Sequence, residues 1–167
     1  DGMAICFKEE DARLIGRTAR GVRAIQLAEG DYVVGFAVAV ENMQLLTVSE
    51  TGYGRRSDFE DYRVQGRAGK GLINYHTDKY GKVAMIAPVM EENDVIMITS
   101  DGVVIRTHAD QISLIKRGGK GVKVMTVKDN EKVATIGIVE RANDEEEITV
   151  PEQTDAEAQD EDVPNEE

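Results

Sequence analysis

Three short segments combine glycine with arginine or lysine, and they recur at an interval of 50 residues: Arg17–Gly21, Arg67–Gly71 and Arg117–Gly121. Arginine offers a planar fork of donors and lysine a mobile point charge, and both suit phosphate oxygens. Glycine lacks Cβ, so backbone N–H groups can approach an anion closely. We therefore expect phosphate binding by the motif glycines Gly21, Gly69, Gly71, Gly118, Gly119 and Gly121 and by the basic residues Arg13, Arg17, Arg20, Arg23, Arg55, Arg56, Arg63, Arg67, Lys70, Arg106, Lys116, Arg117, Lys120 and Lys123.

Each motif lies in a window that contains no acidic residue, namely 12–28, 62–77 and 111–128. For a single motif, the alternative is that the glycines only form tight turns and the cations are solvated in a loop. The recurrence of three acid-free windows favours a shared role. In a repeat array, equivalent positions lie on one rim, so the windows would form a continuous basic stripe suited to a nucleic-acid backbone.

The net charge of −12 opposes this interpretation only as an average. Residues 144–167 hold 12 acidic residues and no lysine or arginine, and such a composition predicts a disordered acidic tail. The remaining 20 acidic residues balance all 20 basic ones in residues 1–143, so the body is neutral. The tail itself is a polyanion that could compete with a nucleic acid for the basic stripe, or it could act only as a solubilising segment.

Other chemistry finds little support in the chain. Cys6 stands alone, and His76 and His108 have no second ligand at metal-binding spacing, so we predict no catalytic residue and no metal site. The Gly-Lys-Gly strings lack the remaining residues of a nucleotide-binding loop, so no cofactor is expected. No apolar run is long enough to span a membrane, and there is no signal peptide, which favours a cytoplasmic location without a membrane partner.

The elements that must position the motifs are short strands. Residues 95–100 and 103–106 are apolar runs around Asp101-Gly102, a pair that predicts a hairpin with positive φ at both central positions. Residues 121–127 and 133–139 predict two further strands. Four strands every 50 residues are typical of a propeller blade, and no long helical periodicity is present.

The domain organisation follows from the same interval. We expect an all-β, propeller-like domain of about three four-stranded antiparallel blades over residues 1–143, in units of about 1–42, 43–93 and 94–143, followed by the tail at 144–167. The first unit begins directly at its Gly2 turn, without the strand that precedes Gly52 and Gly102. This suggests that further blades precede the fragment, which we expect to be monomeric.

The motifs resemble those of the C-terminal domain of the DNA gyrase A subunit. The diagnostic box of that family reads Gln-Arg-Arg-Gly-Gly-Lys-Gly, and residues 65–71 and 115–121 each depart from it at two positions. The resemblance implies a β-pinwheel around which double-stranded DNA wraps to support ATP-dependent negative supercoiling. It also implies that the partners are the gyrase B subunit, together with the rest of the gyrase A subunit. The catalytic tyrosine, ATP and Mg²⁺ would belong to other parts of that type II topoisomerase.

Two alternatives to this resemblance remain at the level of sequence. The related C-terminal domain of topoisomerase IV has similar but fewer and more degenerate blades; the well-kept motifs and the acidic tail favour gyrase. Outside this class, a propeller scaffold could use the basic rim to bind an acidic protein partner.

Overall fold

The computed structural model describes residues 1–141, so the tail predicted at 144–167 lies outside the described part of the chain. Its strands are connected by turns, three 3₁₀ helices and one short α-helix. The 3₁₀ helices, at Glu9–Asp11, Phe59–Asp61 and Ala109–Gln111, recur at the 50-residue interval, and α1 spans Thr77–Tyr80. The strands are β1 Met3–Ala4, β2 Gln44–Ser49, β3 Tyr53–Asp58, β4 Leu72–Ile73, β5 Val83–Val89, β6 Asn93–Thr99, β7 Val104–His108, β8 Val122–Lys123 and β9 Val133–Glu140.

The strands form three antiparallel sheets, with the orders β1-β4, β5-β2-β3-β8 and β7-β6-β9. The expected all-β, propeller-like architecture is therefore confirmed, although the sheets hold two, four and three strands rather than four each. β2 and β6 lie at the centres of the larger sheets, and both show a register shift one residue before their C-terminal end.

The hairpins β2–β3 and β6–β7 have a different turn from the one expected. Gly52 and Gly102 have φ of 81° and 88°, but the residues before them do not have positive φ. The N–H of Gly102 donates to the carbonyl of Thr99, and the N–H of Thr99 donates to Val103. This is a three-residue loop with a left-handed glycine at its end, which also matches the twist of the strands.

Neighbouring units are joined by short strands that cross from one unit to the preceding one. β4 of the second unit pairs with β1 of the first, and β8 of the third unit pairs with β3 of the second. Both pairings have the same register after a shift of 50 residues, as have two single parallel bridges, Cys6 with Val64 and Arg56 with Leu114. This exchange of strands produces a pinwheel.

The predicted strand at 121–127 is only two residues long, because the chain leaves the ladder after Lys123. The N–H groups of Val124 and Met125 both donate to the carbonyl of Gly52, the hairpin glycine of the preceding unit. Met125 then packs into the main core, which joins the second and third units and comprises Leu46, Val48, Val89, Val95, Met97, Ala109, Ile112, Met125, Val133 and Ile136.

The first unit departs from the expected four strands, because β1 is its one strand among the described residues. Residues 33–39 correspond to β5 and β9, yet they form no strand, and Val33, Phe36 and Val38 are 62%, 80% and 59% exposed. β5 and β9 pair with β2 and β6, whereas no strand within residues 1–141 pairs with residues 33–39. The segment instead borders an apolar cleft of about 1200 Å³.

Candidate nucleic-acid interface

The motif loops of the second and third units dock against the hairpin of the preceding unit. Gly71 and Gly121 have φ of 79° and 86°, and a Cβ on either would overlap the carbonyl oxygen of Ala4 or Gly54. These two glycines are therefore required by the contact between units. The expectation that they admit a phosphate needs correction, because a backbone carbonyl already occupies that space.

The first arginine of the second and third motifs also serves this contact. The Nε of Arg67 donates to the carbonyl of Asp11 at 2.9 Å, and its Nη1 donates to the backbone carbonyl of Arg23 at 3.0 Å. Arg117 makes the same two bonds one unit later, to Asp61 and Ile73 at 3.0 Å each. The guanidinium groups thus bridge two segments of neighbouring units, although both side chains remain partly open to solvent.

Arg55 was expected at the phosphate surface, but its exposure is 0%. Its Nε donates to the carbonyl of Gly119 at 3.0 Å, and its other nitrogens donate to the Ser57 hydroxyl and to the carbonyl and side-chain oxygens of Asn74. The Tyr62 hydroxyl completes the network by donating to Asn74 Oδ1 at 2.6 Å. All three guanidinium nitrogens of Arg55 donate within the protein, so the side chain supports the third motif loop from beneath. The prediction that Arg55 contacts DNA is therefore corrected.

Arg56 is likewise buried, at 4% exposure, so its assignment to the phosphate surface is also corrected. Its Nε donates to the carbonyl of Ile112 at 2.8 Å, and its Nη1 donates to Gln44 and Glu91 at 2.7 and 3.0 Å. In the sequence, Arg55 and Arg56 look like two neighbouring surface cations. In a buried strand of a sheet, however, both side chains need internal acceptors, one on each face.

Arg106 occupies the place of Arg56 in the third unit and pairs with an acid. Its Nε lies 2.6 Å from the carboxylate of Asp94, which also accepts from His108 Nδ1 at 2.6 Å and Arg141 at 3.4 Å. The hydrogen bond from His108, followed by the one from Arg106, lowers the pKa of Asp94 below its ordinary value although burial opposes the shift. Arg106 is about half exposed, and its ion pair with Asp94 partly compensates its charge at this surface.

The lysines of the motif loops are placed differently from the arginines. Lys70, Lys116 and Lys123 are exposed, and within residues 1–141 none of their ammonium groups lies within 4 Å of a carboxylate. The Nζ of Lys120 lies 3.6 Å from the centre of the Tyr53 ring, a cation–π contact that leaves the ammonium charge uncompensated. Uncompensated cations of this kind are the groups that can take phosphate.

The side chains of the remaining predicted basic residues are exposed, and within residues 1–141 they donate none of the hydrogen bonds that join units. They are Arg63 in the second unit and Arg13, Arg17, Arg20 and Arg23 in the first. Tyr53 was not anticipated, because it meets Lys120 only through the pairing of β3 with β8 from the next unit. Apart from the 50-residue interval, nothing in the sequence indicates that contact.

Residues 1–141 contain no group of three His, Cys, Asp or Glu residues that could hold a metal ion. None of the helices in this part of the chain is long and apolar enough to cross a membrane.

Comparison with known proteins identifies the repeat. The family model described as "DNA gyrase C-terminal domain, beta-propeller" matches residues 1–39, 44–89 and 93–140. The DNA gyrase A subunit of Haloquadratum walsbyi is 47% identical over 66 residues, which cover 38% of this chain and 8% of that protein. The corresponding protein of Staphylococcus aureus (strain MRSA252) is 50% identical over 62 residues, covering 36% and 7%.

Two solved structures have the same fold. A DNA gyrase A C-terminal domain has a TM-score of 0.74 at 29% identity, covering 82% of this chain and 47% of that one. A C-terminal domain of DNA topoisomerase IV has a TM-score of 0.77 at 20% identity, covering 83% and 44%. The chain thus spans under a tenth of these curated relatives and under half of either solved domain. With three matching segments and a 50-residue pinwheel repeat, it belongs to the DNA gyrase C-terminal domain family of β-propellers.

Proposed function

We propose that this chain binds double-stranded DNA along the rim that carries its motif loops, and that it wraps DNA as part of a gyrase A subunit. The observation that supports the proposal is that different residues of one motif loop have different roles. In the second and third motifs, glycines and the first arginine hold neighbouring units together, whereas Lys70, Lys116, Lys120 and Lys123 keep uncompensated charges on the same loops. A lysine repeated at the same place in successive units follows a phosphate backbone without reading bases.

The residues at this surface favour contact with phosphate over contact with bases. Lysine is a point charge on a flexible stem, and such contacts position a duplex without selecting its sequence. We expect about six phosphates to be neutralised, which gives a slope of log affinity against log salt near −5. An acidic protein partner, the second candidate, would require a specific arrangement of carboxylates and would leave DNA affinity weak at low salt.

The test is binding of the chain to duplexes of increasing length at several salt concentrations. Wrapping predicts tighter binding per site to a long duplex than to a short one, the steep salt dependence given above, and equal affinity for unrelated sequences. A folded chain with no DNA affinity at low salt would rule out the proposal. Equal affinity per site for long and short duplexes would keep DNA binding and remove wrapping.

In the complete enzyme, this wrapping would support ATP-dependent negative supercoiling. The proposed partners are the other parts of the gyrase A subunit, together with the gyrase B subunit, with ATP and Mg²⁺ acting there and not in this chain. The proposed location is the cytoplasm, where the DNA substrate of such an enzyme lies. A pull-down in which a complete gyrase A protein carrying this chain captures the gyrase B protein, with and without DNA, tests the assignment of partners.

A further inference from the structure

Lys120 differs from the other lysines of the motif loops because its charged end lies against aromatic rings. Its Nζ is 3.6 Å from the centre of the Tyr53 ring and 5.9 Å from the centre of the Tyr80 ring. These two side chains form the aromatic platform. Lys70, at the same place in the second motif, has no such contact within residues 1–141 and is exposed, whereas Lys120 is half-buried.

The aromatic platform belongs to the second unit and is not a feature of the repeat. Positions fifty residues before and after its two members hold no aromatic side chain: Met3 and Gly30 in the first unit, and Val103 and Asn130 in the third. The platform therefore distinguishes the junction of the second and third units from the junction of the first and second, although both junctions have the same strand pairing.

The platform is itself held in place. Tyr53 begins β3, and Tyr80 ends α1, where its carbonyl accepts from the Thr51 hydroxyl at 3.0 Å. The Tyr80 ring meets the Tyr75 ring edge to face, with centroids 5.8 Å apart. Tyr75 is fully buried, and its hydroxyl donates to the backbone carbonyl of Lys120 at 3.2 Å. The second unit thus holds both the backbone and the ammonium group of Lys120.

Holding the ammonium group in this way affects how it binds a ligand. A lysine side chain has many rotamers, and fixing it on a ligand costs conformational entropy. An ammonium group that already lies over a ring has lost part of that freedom before the ligand arrives. The ring attracts the cation without a negative charge, so the positive charge of Lys120 stays available. Because Lys120, Tyr53 and Tyr80 are each only half-buried, the ammonium group keeps a side open to a ligand.

We propose that the aromatic platform positions the ammonium group of Lys120 for a phosphate of double-stranded DNA, which makes Lys120 the strongest lysine contact of the motif loops. This inference rests on the DNA binding proposed above. Tyr53 and Tyr80 are positioning residues, because they act through Lys120. Lys70 must be ordered when DNA binds, so Lys120→Gln should weaken binding at low salt about threefold more than Lys70→Gln does.

The test is duplex binding by the intact chain with changes in the platform. Tyr53→Val introduces the residue that the third unit has at this position, and a β-branched side chain suits the strand. It should weaken binding at low salt about fivefold. The slope of log affinity against log salt should stay unchanged because the ammonium group remains, whereas Lys120→Gln should reduce that slope by about one. Tyr53→Phe keeps the ring and should bind normally. Tyr32→Leu, which removes an exposed tyrosine away from lysine contacts, is the matched control.

A double-mutant cycle separates positioning from support of the whole loop. In a Lys120→Gln background, Tyr53→Val should cause no further loss of affinity, because the ring no longer has a cation to hold. An undiminished loss in that background, or a lower salt slope for Tyr53→Val alone, would show that the ring supports the whole loop, and would overturn the proposal.

A measurement without DNA tests the platform itself. In NMR spectra, the ring current of Tyr53 should shift the methylene protons next to Lys120 Nζ upfield in the unmodified chain and in Tyr53→Phe, but not in Tyr53→Val. Absence of this shift in the unmodified chain would overturn the platform whatever the DNA binding. An unmodified chain that shows the shift but binds no DNA would overturn the proposed function and this inference together. DNA binding that is equal for all three proteins would overturn this inference alone.

Discussion

The first and third motif loops, residues 17–23 and 117–123, have the same spacing of glycine and cations but different surroundings. In the third loop, Gly121 seats against Gly54, Arg117 bridges two carbonyls of the second unit, and Gly119 rests on buried Arg55. The first loop makes none of these contacts within residues 1–141. The third loop shows which groups of the motif hold the fold together, and the first loop shows the same groups without those contacts.

The buried supports also differ between units. The second unit places Arg55, Ser57 and Asn74 beneath the third loop, whereas Ile5 lies beneath the second loop. At the positions of Arg55 and Asn74 the third unit has Ile105 and Val124. One surface motif is therefore supported by a polar network in one unit and by apolar packing in another.

The largest effect is expected from a methyl group on the third loop. Gly121→Ala should lower the free energy of unfolding by about 4 kcal/mol, because left-handed strain adds to overlap with a backbone carbonyl. Gly21→Ala carries only the strain and should cost about 1 kcal/mol. Urea unfolding measures both losses. Equal losses would show that the two loops do not differ as described.

The polar support should be the next largest contribution. Arg55→Ile should cost about 3 kcal/mol, because Asn74 and the carbonyl of Gly119 lose their donor in a buried place. Adding Asn74→Val recreates the pair found in the third unit and should cost less than the sum of the single changes. The double-mutant cycle gives the coupling, expected at about 1 kcal/mol or more. Strict additivity would contradict the network.

The arginine bridge should have a smaller effect. Arg117→Ala should lower the unfolding free energy by about 1 kcal/mol, because two exposed hydrogen bonds to Asp61 and Ile73 are lost. Arg17→Ala should change the unfolding free energy by less than about 0.5 kcal/mol. If the two losses measured by chemical unfolding match, Arg117 is not a bridge between units.

The smallest expected effect concerns pH, and it contrasts the Gln44–Arg56 pair with its counterpart, Asp94–Arg106. The pKa of Asp94 is below its ordinary value of 3.8, so its stabilising effect is fully present above that pH and is lost as pH falls through the lower folded value. Asp94→Asn should therefore reduce the acid sensitivity of the melting temperature below about pH 4. Asp129→Asn, a change of an exposed acid, should leave it unaltered. Identical acid profiles for the unmodified chain and both variants would show that Asp94 does not contribute to the acid sensitivity.

Much of this organisation can be predicted from sequence, because local patterns determine it. The hairpins around Gly52 and Gly102, the strand β9 and the 50-residue interval all follow from apolar runs and turn residues. The missing strand at 33–39 could not be predicted from its own composition, because a strand also requires a partner. Its apolar run resembles β5, which forms only beside β2.

The site was less predictable, because residue type does not reveal burial. Arg55 and Arg56 look like surface cations, and only the pairing of β3 with β2 and β8 shows that both are enclosed. Gly71 and Gly121 likewise looked suited to an anion, while their positive φ serves a backbone contact between units. Lys70, Lys116 and Lys123 are exposed and Lys120 is partly buried, and the binding of these four lysines to phosphate stays a prediction.

The most direct test concerns Lys116 and Lys120, which the third loop leaves without an acidic partner within residues 1–141. Lys116→Gln with Lys120→Gln should reduce the slope of log DNA affinity against log salt by about two, one for each lost phosphate contact. The matched control is Lys128→Gln with Lys132→Gln, which removes two exposed lysines that already pair with acids. Our account predicts an almost unchanged slope for the control. Equal slopes for the two double variants would contradict it.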